Sequence, residues 1–224
     1  MSAAATTIVV MAKECIPGRV KTRLHPPLSL ADAARVAAAS LADTLDAVVE
    51  TGLPVIVCAQ GDVTLPPGVR SIPQVEGGLD ERIAAALDEC GGRVLLIGMD
   101  TPQVDPRQLR SYADEWPKDA DAWFGPATDG GFWLLGLEEF AAEALGGQSR
   151  GDLVRGVPMS SSETGRRQHE RLETAGLVVA DAAPLTDIDD IASLRDVAPL
   201  LPPAGHLARL LPELGVLLGE GASS

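Results

Sequence analysis

Two periods alternate along this chain: short uninterrupted apolar runs, and longer stretches with a helical repeat. Ile8-Val9-Val10-Met11 is an apolar run that predicts a buried strand, and it ends in a Pro-Gly loop. From Leu30 to about Glu50, Leu30, Ala34, Ala37, Leu41, Leu45 and Val48 recur at helical spacing, which predicts an amphipathic helix. Ser29-Leu-Ala-Asp32 resembles a capping box at its start, with Asp in place of Glu, and Gly52 ends it. Strands are predicted at 54–59 and 69–74. Asp80 then caps a helix to about Glu89, with Ile83, Ala84 and Leu87 on one face. Val94–Gly98 is the clearest buried strand and runs straight into Met99-Asp100-Thr101-Pro102. Pro106 suits the first position of a helix to about Glu115. Strands at 120–125 and 132–137 follow, then a helix over roughly 138–145, a loop at 146–162 and a polar helix over 163–175. A strand at 177–181, a short helix opened by Asp187-Ile-Asp-Asp190 and a last helix over 205–218 complete the pattern. Strands alternating with helices at this spacing predict an α/β fold, three layers around a mostly parallel sheet.

The length of 224 residues fits a single domain over 1–224, its core at about 6–198, with a C-terminal helix and a frayed tail after it. The net charge of −14 argues against a nucleic-acid or anionic-membrane partner, because phosphate surfaces need a basic face. Cys15, Cys58 and Cys90 are odd in number and widely spaced, so neither a disulfide framework nor a zinc site is indicated. No apolar stretch is long enough to span a membrane, and the N-terminus has no secretory pattern. These features suit a reduced, cytoplasmic enzyme of unspecified oligomeric state.

Against that acidic background the loop 12–24 stands out. The chain has only three lysines, Lys13, Lys21 and Lys118, and two of them fall in this loop beside Arg19 and Arg23. Pro17 and Gly18 allow a tight backbone path, so the loop reads as a phosphate cradle or as a solvated basic patch. It carries neither a Walker A nor a GxGxxG pattern. In a parallel sheet, ligands bind at the carboxyl ends of strands. Asp100 lies there, placed for a divalent cation or for a turn. Thr128-Asp129-Gly130-Gly131 lies there too, as a close-approach loop or a plain hairpin turn. Asp187 and Asp189 read alone as helix caps. Gly147-Gln-Ser149-Arg-Gly151 matches a nucleophile elbow, but no strand is predicted before it, which disfavours a serine hydrolase. His25, His169 and His206 read as surface residues.

Three motifs, taken in order, carry a resemblance. They are Met11-Ala12-Lys13 with Pro17-Gly18-x-Val20-Lys21-Thr22-Arg23-Leu24, then Ile97-Gly98-x-Asp100-x-Pro102, then Gly125-Pro126-Ala127-x-Asp129-Gly130-Gly131-Phe132-Trp133-Leu134. Together they resemble the glycosyltransferase-like branch of the nucleotide-diphospho-sugar transferase superfamily, and the Lys-Thr-Arg-Leu element is similar to phospholactate guanylyltransferases. The resemblance implies a Rossmann-like GT-A fold that binds a nucleotide with Mg²⁺ or Mn²⁺. It implies nucleotide contacts from Ala12, Lys13, Gly18, Arg19, Lys21, Thr22 and Arg23. Asp100 would be the principal metal ligand, with Asp187 or Asp189 as the second carboxylate. Asp129, Gly130 and Gly131 would line the acceptor half of the cleft, and Lys21, Arg23 and Asp129 would be the catalytic groups. The chain departs from the pattern at Val157-Pro158-Met159-Ser160, where an aromatic usually precedes the serine. The expected activity is nucleotidyl or glycosyl transfer from a nucleotide or nucleotide-sugar donor to a small acceptor. The competing reading is a nucleotide-binding protein with a degenerate acceptor site and no turnover.

Overall fold

The apolar run at Ile8–Met11 is the centre of the molecule. In the computed structural model, which describes residues 5–140 and 145–215, it belongs to β1 (Thr6–Lys13). β1 pairs in parallel with β2 (Val55–Gln60) on one side and with β4 (Arg93–Ile97) on the other. β3 (Arg70–Pro73) extends the sheet beyond β2. Beyond β4 lie β6 (Phe132–Leu137), β5 (Ala122–Pro126) and β7 (Val179–Asp181), giving the order β3-β2-β1-β4-β6-β5-β7. β6 runs antiparallel to both β4 and β5, and the other pairs are parallel. The carboxyl ends of β1, β2, β3, β4, β5 and β7 therefore meet the amino end of β6 along one edge. The loops carrying Lys13 to Arg23, Asp100, Asp129 and Asp187 leave from that edge.

The uninterrupted apolar run has a direct physical cause. Alternate residues of a strand face opposite sides. Ile8, Val10 and Ala12 pack into one core with Ala37 and Leu41 of α1 (Leu30–Glu50) and Leu109 and Tyr112 of α3 (Pro106–Asp114). Val9 and Met11 pack into a second core with Ile83 and Leu87 of α2 (Leu79–Asp88) and Leu172 of α4 (Thr164–Thr174). Both faces are covered, so no polar position is tolerated. A third apolar cluster joins α1 to α5 (Ile191–Val197) and α6 (His206–Glu213) through Val36, Leu194 and Leu207.

The predicted elements recur with local corrections. Ser29 caps α1 by accepting the Asp32 N–H at 3.0 Å, and its hydroxyl reaches Asp32 Oδ2 at 2.6 Å. The N-cap of α2 is Gly78 rather than Asp80. Asp80 lies inside the helix and uses its carboxylate across the fold, accepting the Gly156 N–H at 2.9 Å. The helix expected over 138–145 is irregular at 138–140, and 141–144 lie outside the described residues. The loop expected at 146–162 contains a 3-10 turn, Arg150–Leu153, docked on α2. There Gly151 N–H donates to Asp88 Oδ1 at 2.7 Å, and Arg155 pairs with Asp88 at 2.7 Å. The last helix ends at Glu213; residues 216–218 of its expected span and the tail beyond lie outside the described residues.

Candidate functional site

A cleft of about 700 Å³ opens along the carboxyl edge of the sheet. Its walls are the end of β1, the turn after it, the loop after β4, the β5–β6 turn, residues 159–164 and residues 187–189.

The loop after β4 is held from behind. Ser40 of α1, fully buried, donates its hydroxyl to Met99 O at 2.8 Å. That contact fixes the chain on which Asp100 is mounted. Ile188 N–H donates to Asp100 O at 2.9 Å, which brings Asp187 and Asp189 to either side of the same backbone contact. The approach to this point is also built. After β7 the chain follows β5, with a parallel bridge between Ala127 and Leu185 and a bond from Thr128 N–H to Leu185 O at 3.0 Å. Asp190 is the residue that caps α5, accepting Ser193 N–H at 2.9 Å. Asp187 and Asp189 are thereby free of the capping role that either alone would suggest.

Lys21 enters this group from the opposite wall. Its backbone is left-handed, at φ 47 and ψ 37, uncommon for a residue with a Cβ. Its Nζ lies 2.8 Å from Asp100 Oδ1 and 3.1 Å from Asp189 Oδ1, with the side chain only 7% exposed. Burial alone would push the ammonium pKa down. The charge of Asp100 at contact distance, then the charge and hydrogen bond of Asp189, outweigh it and hold Lys21 above the ordinary lysine value. Arg23 is exposed and touches Asp189 loosely, at 3.7 Å. Asp187 is pushed up to about 7, first by burial and then by the neighbouring Asp100 and Asp129, with Lys21 as a partial offset. Negative charge is in local excess here.

Asp129 sits in the β5–β6 turn and accepts Gly131 N–H on Oδ1 at 2.8 Å. Gly130 has φ +91, and a Cβ there would lie 2.1 Å from Ser162 O. Its carbonyl accepts Gly165 N–H at 2.8 Å, at the start of α4. The Asp-Gly-Gly stretch is therefore both a hairpin turn and a close-approach loop, clamped against the far wall. That wall includes Met159 and Ser160, where the chain departs from the expected pattern, and Ser160 has φ 57.

Ala12, Lys13, Lys21, Thr22, Arg23, Asp100, Asp129, Gly131, Asp187 and Asp189 all line this cleft. Gly18 and Arg19 do not: both are exposed, on the turn outside it. Gly130 supports the turn from behind. Sequence reasoning passed over Gln60, Gln74 and Arg82 at the other end of the cleft. Gln74 Nε2 donates to Ala12 O at 2.8 Å and Cys58 O at 2.9 Å, and Arg82 donates to Gln60 Oε1 at 3.0 Å. For the two glutamines a signal was available, since Gln60 ends β2 and Gln74 follows β3 directly, but Arg82 lies within α2 and carried none. Thr101, buried and cleft-lining, was also passed over, although it follows Asp100.

The other candidates resolve into structural roles. Ser149 caps the 3-10 turn in a reciprocal box with Asp152, with a turn rather than a strand before it. His206 and His25 are exposed; His169 is half-buried, edge-on to Phe124 at 5.3 Å. His206 joins Asp43 and Asp46 in a group whose ligand atoms lie within 4.8 Å of one another. Asp43 accepts the backbone N–H groups of His206 at 2.6 Å and Leu207 at 3.0 Å, which caps α6. The three cysteines are free, and burial pushes the Cys58 thiol up to about 11. No helix of the described residues is long and apolar enough to cross a membrane.

The sheet order, the single reversed strand and the cleft at the carboxyl edge define a GT-A fold. A protein assigned to the nucleotide-diphospho-sugar transferases from Desulfovibrio desulfuricans G20 shares it at TM-score 0.81 and 24% identity, over 95% of this chain and 96% of that one. Rv0371c from Mycobacterium tuberculosis H37Rv, in a complex with manganese, matches at TM-score 0.51 and 20% identity, over 88% of this chain and 98% of that one. A cytidylyltransferase from Leptospira borgpetersenii matches at TM-score 0.54 and 12% identity, over 98% and 99% of the two chains. No curated protein matches the chain. The family described as "Uncharacterized protein conserved in bacteria (DUF2064)" matches residues 32–161, and the chain belongs to that family.

Proposed function

We propose that this chain is a divalent-metal-dependent transferase. It takes a nucleotide or nucleotide-sugar donor and passes a nucleotidyl or glycosyl group to a small acceptor, with nucleotidyl transfer the better supported of the two. The observation that carries the reading is the convergence of Lys21 and Arg23 with Asp100, Asp187 and Asp189 at one end of the cleft. The transferase and manganese descriptions of proteins sharing the fold are in keeping with it.

The carboxylates fit a hard divalent ion. They are oxygen donors without Cys or His, the chemistry that suits Mg²⁺ or Mn²⁺. Burial and then the charges of Asp100 and Asp129 raise Asp187, and the like-charge part of that is what such an ion relieves. Asp100, with Asp187 or Asp189, would hold it. Bound there, the ion would neutralise donor phosphate charge as the leaving group departs. Lys21 and Arg23 then face the donor phosphates, and Ala12, Lys13 and Thr22 line the same wall. In nucleotidyl transfer an acceptor phosphate or carboxylate oxygen attacks the α-phosphorus. A new P–O bond forms, the bond to the bridging oxygen breaks, and pyrophosphate leaves. The acceptor is already an anion, so no proton needs removal, and the protein contributes position and charge. Glycosyl transfer to a hydroxyl would need a base, and Asp129, the residue placed for it, already has one oxygen held by Gly131 N–H.

The test is product release with Mg²⁺ or Mn²⁺ across the four ribonucleoside triphosphates and a panel of nucleotide sugars, each with candidate acceptors. Pyrophosphate from a triphosphate establishes nucleotidyl transfer, and nucleoside diphosphate from a nucleotide sugar establishes glycosyl transfer. Donor binding with no release from any pair would leave a nucleotide-binding protein without turnover.

A further inference from the structure

We propose that, in the metal-free protein, the Lys21 ammonium occupies the position a divalent cation takes on loading. Cation entry and release of Lys21 from Asp100 and Asp189 are then a single exchange. This inference rests on the metal-dependent reading of the cleft, and it adds a coupling between metal and donor that this reading alone does not contain.

The contacts of Lys21 are those of a resident counter-ion. Its Nζ bridges Asp100 Oδ1 at 2.8 Å and Asp189 Oδ1 at 3.1 Å, with the side chain almost wholly withdrawn from water. A lysine ammonium is a compact point charge on a flexible stem, the side chain that most resembles a small cation and the one able to leave by rotating its stem. The backbone at Lys21 adopts a left-handed conformation to deliver it, and such conformations persist where the surroundings enforce them. Asp187 lines the cleft beside the bridge, so three carboxylates face a single buried ammonium, which neutralises them only in part. A divalent ion would do so more completely, but it cannot share Asp100 Oδ1 with an ammonium at contact distance, because the two cations repel. Arg23 provides the contrast. It brings the same unit charge to Asp189 but stands 3.7 Å away with its side chain 76% exposed, so it fills no position.

Three consequences follow from the exchange. A cation alone binds weakly, because it must break a buried ion pair. The ammonium it releases is set free on the wall where donor phosphates would lie. Donor phosphate and cation therefore favour each other's binding through Lys21, without a change of fold.

The chain has three lysines, so ¹⁵N-lysine labelling of the full wild-type protein yields three side-chain signals, and Lys21 is assigned by its loss in Lys21→Met. Titration with Mg²⁺ is expected to shift the Lys21 ammonium signal over the same concentrations that raise the melting temperature. A rise in melting temperature with the Lys21 signal unmoved would overturn the exchange. No response of either to Mg²⁺ or Mn²⁺ overturns the metal reading itself, and the exchange with it. Charge and occupancy are separated by a pair of variants in calorimetric Mn²⁺ titrations without nucleotide. Lys21→Met is expected to tighten Mn²⁺ binding at least about tenfold, and Arg23→Met by less than about threefold, since an exposed charge is screened by solvent. Equal gains in the two would reduce Lys21 to background charge and overturn the proposal. Folding of Lys21→Met only with Mn²⁺ supports the exchange. If that variant folds under neither condition, the signal is assigned by Lys21→Arg and the wild-type titration decides.

Discussion

Asp43, Asp46 and His206 gather where α1 meets α6, and Asp100, Asp187 and Asp189 gather at the mouth of the sheet. Composition would rank the first group as the better metal site, since it adds an imidazole to two carboxylates. The hydrogen bonds reverse that ranking. Both oxygens of Asp43 are taken by backbone N–H groups that begin α6, and the residue is 5% exposed. Its charge is spent on a helix end. At the mouth of the sheet the capping is done by Asp190, and the carboxylates beside it face one another and Lys21. What fills a carboxylate's oxygens, rather than how many carboxylates meet, separates a structural cluster from a candidate binding one.

That contrast can be broken by substitution. The largest effect is expected from Asp100→Ala, which should lower metal-dependent product release by at least about 100-fold and remove the Mn²⁺-induced rise in melting temperature. A retained Mn²⁺ response would remove Asp100 from the metal site. Asp43→Ala should do the reverse. Loss of a buried cap should cost about 1–3 kcal/mol in urea denaturation, with the Mn²⁺ response intact. If instead the Mn²⁺ response disappears in Asp43→Ala, the two clusters have been assigned the wrong way round. Gly130→Ala places a Cβ against Ser162 O at a left-handed position. It should cost about 1–3 kcal/mol of stability and weaken acceptor binding more than donor binding, as read by KM for each.

A smaller effect belongs to pH. Asp187 ionises near 7 in the folded chain, against 3.8 as its ordinary value. Between these values the folded state holds the proton more tightly than the unfolded state does. Stability in this window therefore falls as pH rises, and the loss is complete above about 7. Melting temperatures of the metal-free protein in EDTA should show a decline from pH 4 to 7 that Asp187→Asn flattens; an equal decline in the variant would assign it to other groups. The smallest effect is expected from Ser149→Ala, which should leave product release unchanged and cost about 0.5–1 kcal/mol through its cap. Lost turnover there would revive the hydrolase reading.

Local chemistry explains why most of the fold was legible. β1 must be apolar on both faces, Ser29 and Pro106 mark helix starts through hydrogen bonds and a fixed φ, and strand ends in a parallel sheet collect functional groups. Lys21, Asp100 and Asp129 could be singled out on those grounds alone, before any contact was known. The assignments that moved depended on partners remote in the chain. Asp80 is drawn from a cap to Gly156, and Arg19 is turned out of the cleft that Lys21 enters two residues later. Gln60, Gln74 and Arg82 carry no motif, and only the pairing of β2 with β3 and the docking of α2 bring them to the same cleft.

By itself, then, the sequence determined the elements, their alternation and the short roster of charged residues at strand ends. These depend on periodicity and on local hydrogen bonding, which act over a few residues. Only the tertiary structure decided which carboxylates are occupied and which are exposed to like charge. It put Lys21 between Asp100 and Asp189, 79 and 168 residues further along the chain, and gave the capping duty to Asp190. Electrostatic interaction depends on distance through space and on burial, and neither is written in the spacing of residues along a chain.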